Sequence, residues 1–225
     1  MDDKEIDLKK EQQKTLYTHR LKTNFILKLM FLLIDILYGK KRTLPKFKVI
    51  ELLARYPYMA WEDRAYLQIT RAYTQKYDSV EEEVKNYLRL IDLGRKSQDN
   101  EQWHLLLIDD LIRKKKIWQS VFLHCFLPKV MALKYYYFSR ILYCLKPEWS
   151  FAMNAKFESH AENEYMLMVQ EHPEWENESF DSEFFKYYPK QKNLADLFRR
   201  IGLDEREHKI ESMQEYKRLT GKELQ

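Results

Sequence analysis

The sequence predicts an all-α protein, on three observations. Only 4 glycines and 6 prolines interrupt the 225 residues, while helix-favouring Leu, Lys, Glu, Arg and Met are abundant. No segment alternates apolar and polar residues in the way that a half-buried strand does. At least four long stretches are typical of helices, which is enough for a bundle. With 45% hydrophobic residues and no low-complexity linker, residues 1–225 are expected to form a single domain.

The first 38 residues divide into a charged part and an apolar part. Residues 1–19 are predicted to be a charged, frayed leader, and they lack the apolar core of a signal peptide. The chain from Asn24 to Tyr38 is almost wholly apolar, with Lys28 and Asp35 as its charged residues. A helix needs about 20 apolar residues to cross a bilayer, so this stretch is not predicted to span one.

Prolines, glycines and charge runs divide the rest of the chain into helices. Pro57 is expected to kink or end the first of them. Asp78 and Ser79 are candidate N-caps for the second, and Gly221 marks the end of the last. The predicted helices cover residues 46–76, 79–94, 98–116, 150–171 and 192–219, with an apolar aromatic stretch at 117–145 that contains Pro128, and a loop with helical turns at 172–189.

Charge and cysteine content limit the classes of partner. A net charge of +4 is too small to indicate a nucleic-acid-binding protein, and none is expected as a partner. Basic clusters at 40–48 and 113–116 adjoin apolar stretches, a pattern that suits an anionic membrane surface; the alternative is a solvated lysine-rich face. Cys125 and Cys144 lie in apolar aromatic runs, so both thiols are expected to be buried in a protein of a reducing compartment.

The spacing Glu-x-x-His occurs twice, each time inside a predicted helix. Glu101 and His104 form the first pair, and Glu205 and His208 form the second. Residues three apart on a helix lie about 5–6 Å from each other at Cβ, so both side chains can bind one metal centre. Two solvated helix faces would give the same spacing, so the pattern alone leaves that alternative open.

Two further glutamates complete the ligand pattern of a di-iron helical bundle. That class of site takes one Glu from each of two helices and one Glu-x-x-His from each of two others. Glu51 precedes the first pair and Glu158 lies between the pairs, which gives the expected order along the chain. Both have apolar or small neighbours, where a carboxylate is costly unless it is paired or bound to metal. The alternative for each is a glutamate at a helix border that faces water.

Four stretches resemble the alternative oxidases, and in particular their plastid terminal oxidase branch. One is similar to the helix of the first ligand, one to N-E-x-x-H, one to the helix of the third ligand with a tyrosine seven residues later, and one to N-L-x-D-x-F followed by D-E-x-x-H. In chain order they are VIELLARYPY (49–58), NEQWH (100–104), FESHAENEY (157–165) and NLADLFRRIGLDEREH (193–208). The resemblance covers most of the chain from about residue 40 to 213.

The resemblance implies a fold, a cofactor and a set of site residues. The fold would be a ferritin-like four-helix bundle with a di-iron centre and extra amphipathic helices at the membrane surface. Tyr165 would be the tyrosine near the irons, and Asn100 and Asp204 would hold ligands and backbone in place. The ligands of the two Fe ions would be Glu51, Glu101, His104, Glu158, Glu205 and His208.

A quinol pocket is also implied, with some departures from the family pattern. Its residues would be Lys46, Ile50, Ala161 and Glu164; the family usually has Arg at the position of Lys46, and Lys lacks that planar fork. The span between the first two ligands is longer than in the family, with the extra length expected in residues 72–92. Glu62 and Glu162 are rivals for Glu51 and Glu158 because they lie 11 and four residues further on, on nearly the same helix faces.

The activity implied by the resemblance is oxidation of a membrane quinol, plastoquinol or ubiquinol, by oxygen. Such an enzyme would be monotopic, with Asn24–Tyr38 and Ile117–Leu145 in the membrane interface. Trp118 and Tyr135 to Tyr137 would suit the headgroup level, although 117–145 equally suits a homodimer interface. One alternative is a di-iron hydroxylase of quinone biosynthesis with the same ligands. Another is a metal-free helical scaffold, which would tolerate loss of His104 and His208.

Overall fold

The computed structural model describes residues 6–72, 74 and 80–224 of the chain. Over these residues the chain is helical and forms no strand, which confirms the all-α prediction. The α-helices in the described part of the chain are α1 Leu8–Tyr17, α2 Phe25–Tyr38, α3 Leu44–Ala72, α4 Val80–Lys114, α5 Leu127–Leu145, α6 Pro147–Glu171 and α7 Leu194–Thr220. A π-helical turn at Phe122–Phe126 precedes α5, and two 3₁₀ turns, Pro173–Asn177 and Glu183–Lys186, lie between α6 and α7.

The chain divides into two compact units. Residues 44–150 form the central unit, which contains α3, α4 and α5, and residues 1–43 with 151–225 form the terminal unit, which contains α1, α2, α7 and α6 from Phe151 onward. Each unit therefore contains one of the two Glu-x-x-His pairs and one of the two single glutamates of the predicted ligand set.

An antiparallel pair of long helices, α3 and α4, forms the body of the central unit. Contacts pair Lys48 with Asp109 near one end and Glu62 with Arg95 near the other, so the two chain directions are opposed. Helix α3 continues through Pro57, so it does not end there, and a kink at Pro57 stays a prediction. Tyr58 and Trp61, directly beyond the proline, are almost fully buried. The burial of this segment outweighs the backbone hydrogen bond that Pro57 removes.

Helix α4 is one continuous helix, so the prediction of separate helices at 79–94 and 98–116 is wrong. The glycine at the end of the first predicted segment is a packing residue. A Cβ added to Gly94 would lie 3.0 Å from the backbone oxygen of Tyr58 and 3.2 Å from Cβ of Glu62, so only glycine allows α3 and α4 to approach so closely here. The extra length predicted at 72–92 includes the first turns of α4, while the candidate caps Asp78 and Ser79 lie outside the described residues.

In the terminal unit, helix α1 is docked where the sequence predicts a frayed leader. Asp7 caps α1 by accepting from the backbone N–H of Lys10 at 3.1 Å. Gln12 Nε2 donates to the carbonyl oxygen of Met166 at 2.8 Å, and Thr15 Oγ1 donates to Glu162 Oε1 at 2.7 Å. Two polar residues within the charged sequence of α1 are therefore buried against α6 and hold the helix in place.

Helices α2 and α5 expose much of their apolar surface. In α2 the buried positions are Leu27 and Ile34. The exposed apolar residues of the two helices are Phe25, Ile26, Leu29, Leu32, Leu33 and Ile36 in α2, and Leu133, Tyr137, Ile141 and Leu145 in α5. Among the described residues, no helix is both long enough and apolar enough to cross a membrane.

Some aromatic and cysteine residues in and near α5 differ in burial from the prediction. Trp118 and Tyr137 are exposed, but Tyr135 is buried and the hydroxyl of Tyr136 donates to Asp63 on α3. Cys125 and Cys144 are both exposed, so the prediction of two buried thiols is wrong. An apolar aromatic run does not show which side of a helix packs, and both cysteines lie on sides that face away from the core of the central unit.

Candidate metal centre

The central triad consists of Glu51 on α3 with Glu101 and His104 on α4. One ligand atom from each residue lies within 4.8 Å of the ligand atoms of the other two. Nδ1 of His104 is 3.2 Å from Oε2 of Glu51 and 3.8 Å from Oε2 of Glu101. All three side chains are at most 1% exposed. The antiparallel packing of α3 and α4 brings the single glutamate to the Glu-x-x-His pair.

The terminal triad repeats this composition with Glu158 on α6 and Glu205 and His208 on α7. Its ligand atoms also lie within 4.8 Å of one another, and Nδ1 of His208 is 3.7 Å from Oε2 of Glu205. Glu158 and Glu205 are at most 1% exposed and His208 is 4% exposed. The spacing of three residues places Glu205 and His208 on the same face of α7.

The donors of both triads suit a metal ion. Each triad offers two carboxylates and one imidazole, which are hard oxygen and borderline nitrogen donors of the kind that iron accepts. A buried carboxylate is costly unless a cation or hydrogen-bond donors compensate its charge, and two such carboxylates meet in each triad. Burial of these side chains excludes the alternative in which the two Glu-x-x-His pairs are solvated helix faces.

The two rival glutamates belong to ion pairs and not to the triads. Glu62 accepts from Arg95 Nε at 2.9 Å and from Gln98 Nε2 at 2.7 Å. Glu162 accepts from Thr15 Oγ1 at 2.7 Å and from Arg206 Nε at 2.9 Å, and it also pairs with Lys209. Burial raises the pKa of Glu162, but Lys209, Arg206 and Thr15 outweigh that effect and hold the pKa below its ordinary value.

Polar residues around the terminal triad include both predicted and unpredicted ones. Asp204, which the resemblance assigns to holding a ligand in place, accepts from the hydroxyl of Tyr188 at 2.6 Å and pairs with Arg200 at 2.7 Å. Asn154 donates to Glu158 Oε1 and to Ser212 Oγ, each at 3.1 Å. The sequence offers no signal for Tyr188, Asn154 or Ser212, since each becomes recognisable only when its helix or loop has packed.

Tyr165 is fully buried in the terminal unit. Its ring stacks on that of Phe198 with centroids 6.1 Å apart, and a Cβ added to Gly202 would lie 3.2 Å from the Cβ of Tyr165. The close approach of α7 at Gly202 therefore limits the movement of this tyrosine. The predicted role of Tyr165 in oxygen chemistry stays a prediction, as does the role of Asn100, which lies beside Glu101 on α4.

The residues of the predicted quinol pocket belong to different units. Lys46 is buried and Ile50 is half-buried on α3, and Ala161 is buried on α6. Glu164, also on α6, pairs with Arg42 at 2.9 Å and with Arg20 at 3.6 Å. These ion pairs give Glu164 a clear part in holding the segments on either side of α2 against α6. A shared role of the four residues in binding quinol stays a prediction.

Comparison with known proteins identifies a family. The family model described as "Alternative oxidase" matches residues 3–214, which is nearly the whole chain. No curated protein matches the sequence.

Proposed function

The chain belongs to the alternative oxidase family, whose members are membrane-associated di-iron quinol oxidases, and we propose that it oxidises a membrane quinol with oxygen as the electron acceptor. Two quinols would reduce one oxygen molecule to two waters. The observation that carries the proposal is the pair of buried triads, each built from one glutamate and one Glu-x-x-His pair. Plastoquinol and ubiquinol are both candidate substrates.

The two triads would together hold two iron ions within one oxidase domain, a ferritin-like bundle of α3, α4, α6 and α7. Four carboxylates and two neutral imidazoles carry a formal charge of −4, which two Fe(II) ions neutralise. Bound iron would supply the redox chemistry that side chains lack and that reduction of oxygen requires. The ligands would be Glu51, Glu101, His104, Glu158, Glu205 and His208.

Other residues would supply protons, electrons and orientation. Tyr165 would give up one proton and one electron while oxygen is reduced, and its burial against Phe198 supports a fixed position for its ring. Asp204, bonded to Tyr188 and Arg200, would hold the third turn of α7 in place and so fix the direction of the neighbouring Glu205. Lys46, Ile50, Ala161 and Glu164 would line the quinol pocket.

The quinol is a lipid, so the enzyme must meet a membrane surface. We propose that α2 and α5 lie in the interface of one leaflet, since both expose long apolar side chains that the units do not cover. Basic residues between α2 and α3, such as Lys40 and Lys41, would face anionic headgroups. A homodimer would use another face of the 117–145 region. No nucleic-acid partner is expected.

Quinol-dependent oxygen uptake by the purified, detergent-solubilised protein tests the proposed function. We expect uptake that resists cyanide, that is lost in Glu158→Ala and that persists in Glu81→Ala, a matched change at an exposed glutamate of α4. Plastoquinol and ubiquinol analogues should be compared as substrates. If the iron-loaded protein takes up no oxygen with a quinol but hydroxylates a quinone precursor, the oxidase proposal is overturned and the hydroxylase alternative stands.

A further inference from the structure

The polar cluster beside the terminal triad is built on Asn154, which lies on α6 one helical turn before Glu158. Its Nδ2 donates to Glu158 Oε1 at 3.1 Å and to Ser212 Oγ on α7 at 3.1 Å. We propose that Asn154 is a positioning residue that holds the Glu158 carboxylate in its metal-binding orientation and fixes α7 beside it. The inference rests on the proposed function, because it gives Asn154 a role toward a metal ligand.

Chemistry determines which end of the Asn154 amide faces the ligand. An ionised carboxylate can only accept hydrogen bonds, so the amide nitrogen and not the amide oxygen must face Glu158. The NH₂ group has two hydrogens, and the second is directed to Ser212 Oγ. Both donors of one planar group are therefore used, which fixes the rotation of the amide and, through it, the position of Glu158 Oε1.

The positions of Asn154 and Ser212 on their helices allow these two hydrogen bonds to affect the whole terminal triad. Asn154 is four residues before Glu158 on α6, and Ser212 is four residues after His208 on α7, so each lies on the same face as the ligand of its helix. The bond between them joins α6 and α7 one turn away from the ligands. It thereby limits sliding of Glu158 relative to Glu205 and His208, whose ligand atoms lie within 4.8 Å of it.

Water cannot easily replace the two hydrogen bonds of Asn154, because the residues that form them are buried. Asn154 and Ser212 are each 1% exposed and Glu158 is fully buried. Solvent therefore cannot take over the hydrogen bond to Glu158 Oε1 when the amide is removed. Partners that orient metal ligands in this way typically contribute roughly 10–100-fold to metal affinity.

Metal affinity of the full-length protein tests the assignment. Co(II) serves as a coloured probe for Fe(II), and its affinity is measured by competition with a chelator while circular dichroism reports the folded fraction. Asn154→Leu removes both donors at similar size, and Asn154→Asp keeps the shape but places a second carboxylate against Glu158. Ser212→Ala is the control, because it removes the bond between helices and keeps the donor to Glu158.

We expect Asn154→Leu and Asn154→Asp to remain helical, to bind Co(II) roughly 10–100-fold more weakly and to show a shifted visible absorption band. Ser212→Ala, which removes only the link between α6 and α7, should shift the band less and lose less affinity than either Asn154 variant. Wild-type affinity and spectrum in both Asn154 variants would overturn the inference alone, as would equal losses in Ser212→Ala, which would indicate helix packing only. A wild-type protein that binds neither Co(II) nor Fe(II) would overturn the proposed function together with this inference.

Discussion

His104 and His208 illustrate how burial changes the meaning of a residue. Histidines three residues after a glutamate are common on solvated helices, but here both rings are at most 4% exposed and lie beside two carboxylates. A buried imidazole in such surroundings is a typical metal ligand. The hypothesis of a metal-free scaffold predicts that the protein tolerates the loss of both histidines. The buried triads predict that it does not.

Substitution of His104 or His208 by alanine should reduce the iron content of the purified protein, with an affinity lower by roughly tenfold or more. The iron-to-protein ratio measured by elemental analysis checks this expectation. His172→Ala is the matched control, because His172 lies near the surface and pairs with Glu174 outside both triads. Unchanged iron content in His104→Ala and His208→Ala would support the scaffold instead.

Glu162 should make stability depend on pH in a defined direction. Its pKa is lower in the folded protein than the ordinary value of 4.5, although burial opposes the shift, because Lys209, Arg206 and Thr15 stabilise the charged form. A lowered folded pKa means that this contribution is complete above the unfolded pKa and is lost as pH falls through the folded pKa.

Glu162→Gln should therefore destabilise the protein at pH 7 by about 1–3 kcal/mol, since Arg206 and Lys209 lose their charged partner. The difference from wild type should shrink as pH falls below 4.5. Thermal unfolding of the metal-free proteins across this range measures both effects. A difference that grows on acidification would contradict the assignment of a charged Glu162.

At the scale of the element, Gly94 controls the approach of α3 and α4. An alanine there would gain helix propensity of about 1 kcal/mol. Its Cβ would, however, lie 3.0 Å from a backbone oxygen of α3, and backbone cannot move aside as a flexible side chain can. The steric cost should exceed the gain, because overpacking typically costs about 1–3 kcal/mol.

We expect Gly94→Ala to lower both the unfolding temperature and the metal affinity of the central triad, since α3 carries Glu51 and α4 carries Glu101 and His104. Lys96→Ala, on the exposed side of α4, should change neither. Calorimetry and Co(II) titration check the two effects. A stabilised Gly94→Ala variant would show that α3 and α4 separate without cost.

At the scale of the whole molecule, the exposed apolar faces of α2 and α5 indicate which surface the protein uses for interactions. Helix α2 leaves six large apolar side chains exposed and α5 leaves four. Such surfaces on a folded protein indicate an interaction site. Lipid and a second copy of the chain are the two candidates for binding these faces, and the family membership favours lipid for α2.

Leu32→Gln combined with Ile36→Gln should weaken binding to vesicles that contain anionic lipid by roughly tenfold, because less apolar surface enters the membrane interface. Vesicle co-flotation of the purified protein measures the change. A matched control is Lys85→Gln on α4, which removes a charge that pairs with Glu81 far along the sequence from α2. Equal binding of the double variant and wild type would place the membrane contact elsewhere.

Periodicity and residue spacing by themselves determine much of this protein. Scarcity of glycine and proline predicts an all-α chain, and the order Glu, Glu-x-x-His, Glu, Glu-x-x-His predicts the composition of both triads. These features depend on contacts within one helix or on chain order, which a sequence displays directly. Helix α7 is the clearest case, since it is predicted at residues 192–219 with Gly221 just past its end, and it extends over Leu194–Thr220 with Gly221 as its C-cap.

Tertiary packing determines the features that residue spacing does not. A sequence cannot show whether Gly94 ends a helix or allows another helix to approach, or whether Pro57 breaks a helix that burial holds together. The same holds for Cys125 and Cys144, whose apolar neighbours do not indicate which side of a helix faces the core. Glu162 and Glu158 lie four residues apart with similar surroundings in the sequence, and tertiary contacts alone give one a set of cations and the other Asn154. Each distinction depends on residues distant in the chain, because only folding determines which of them meet.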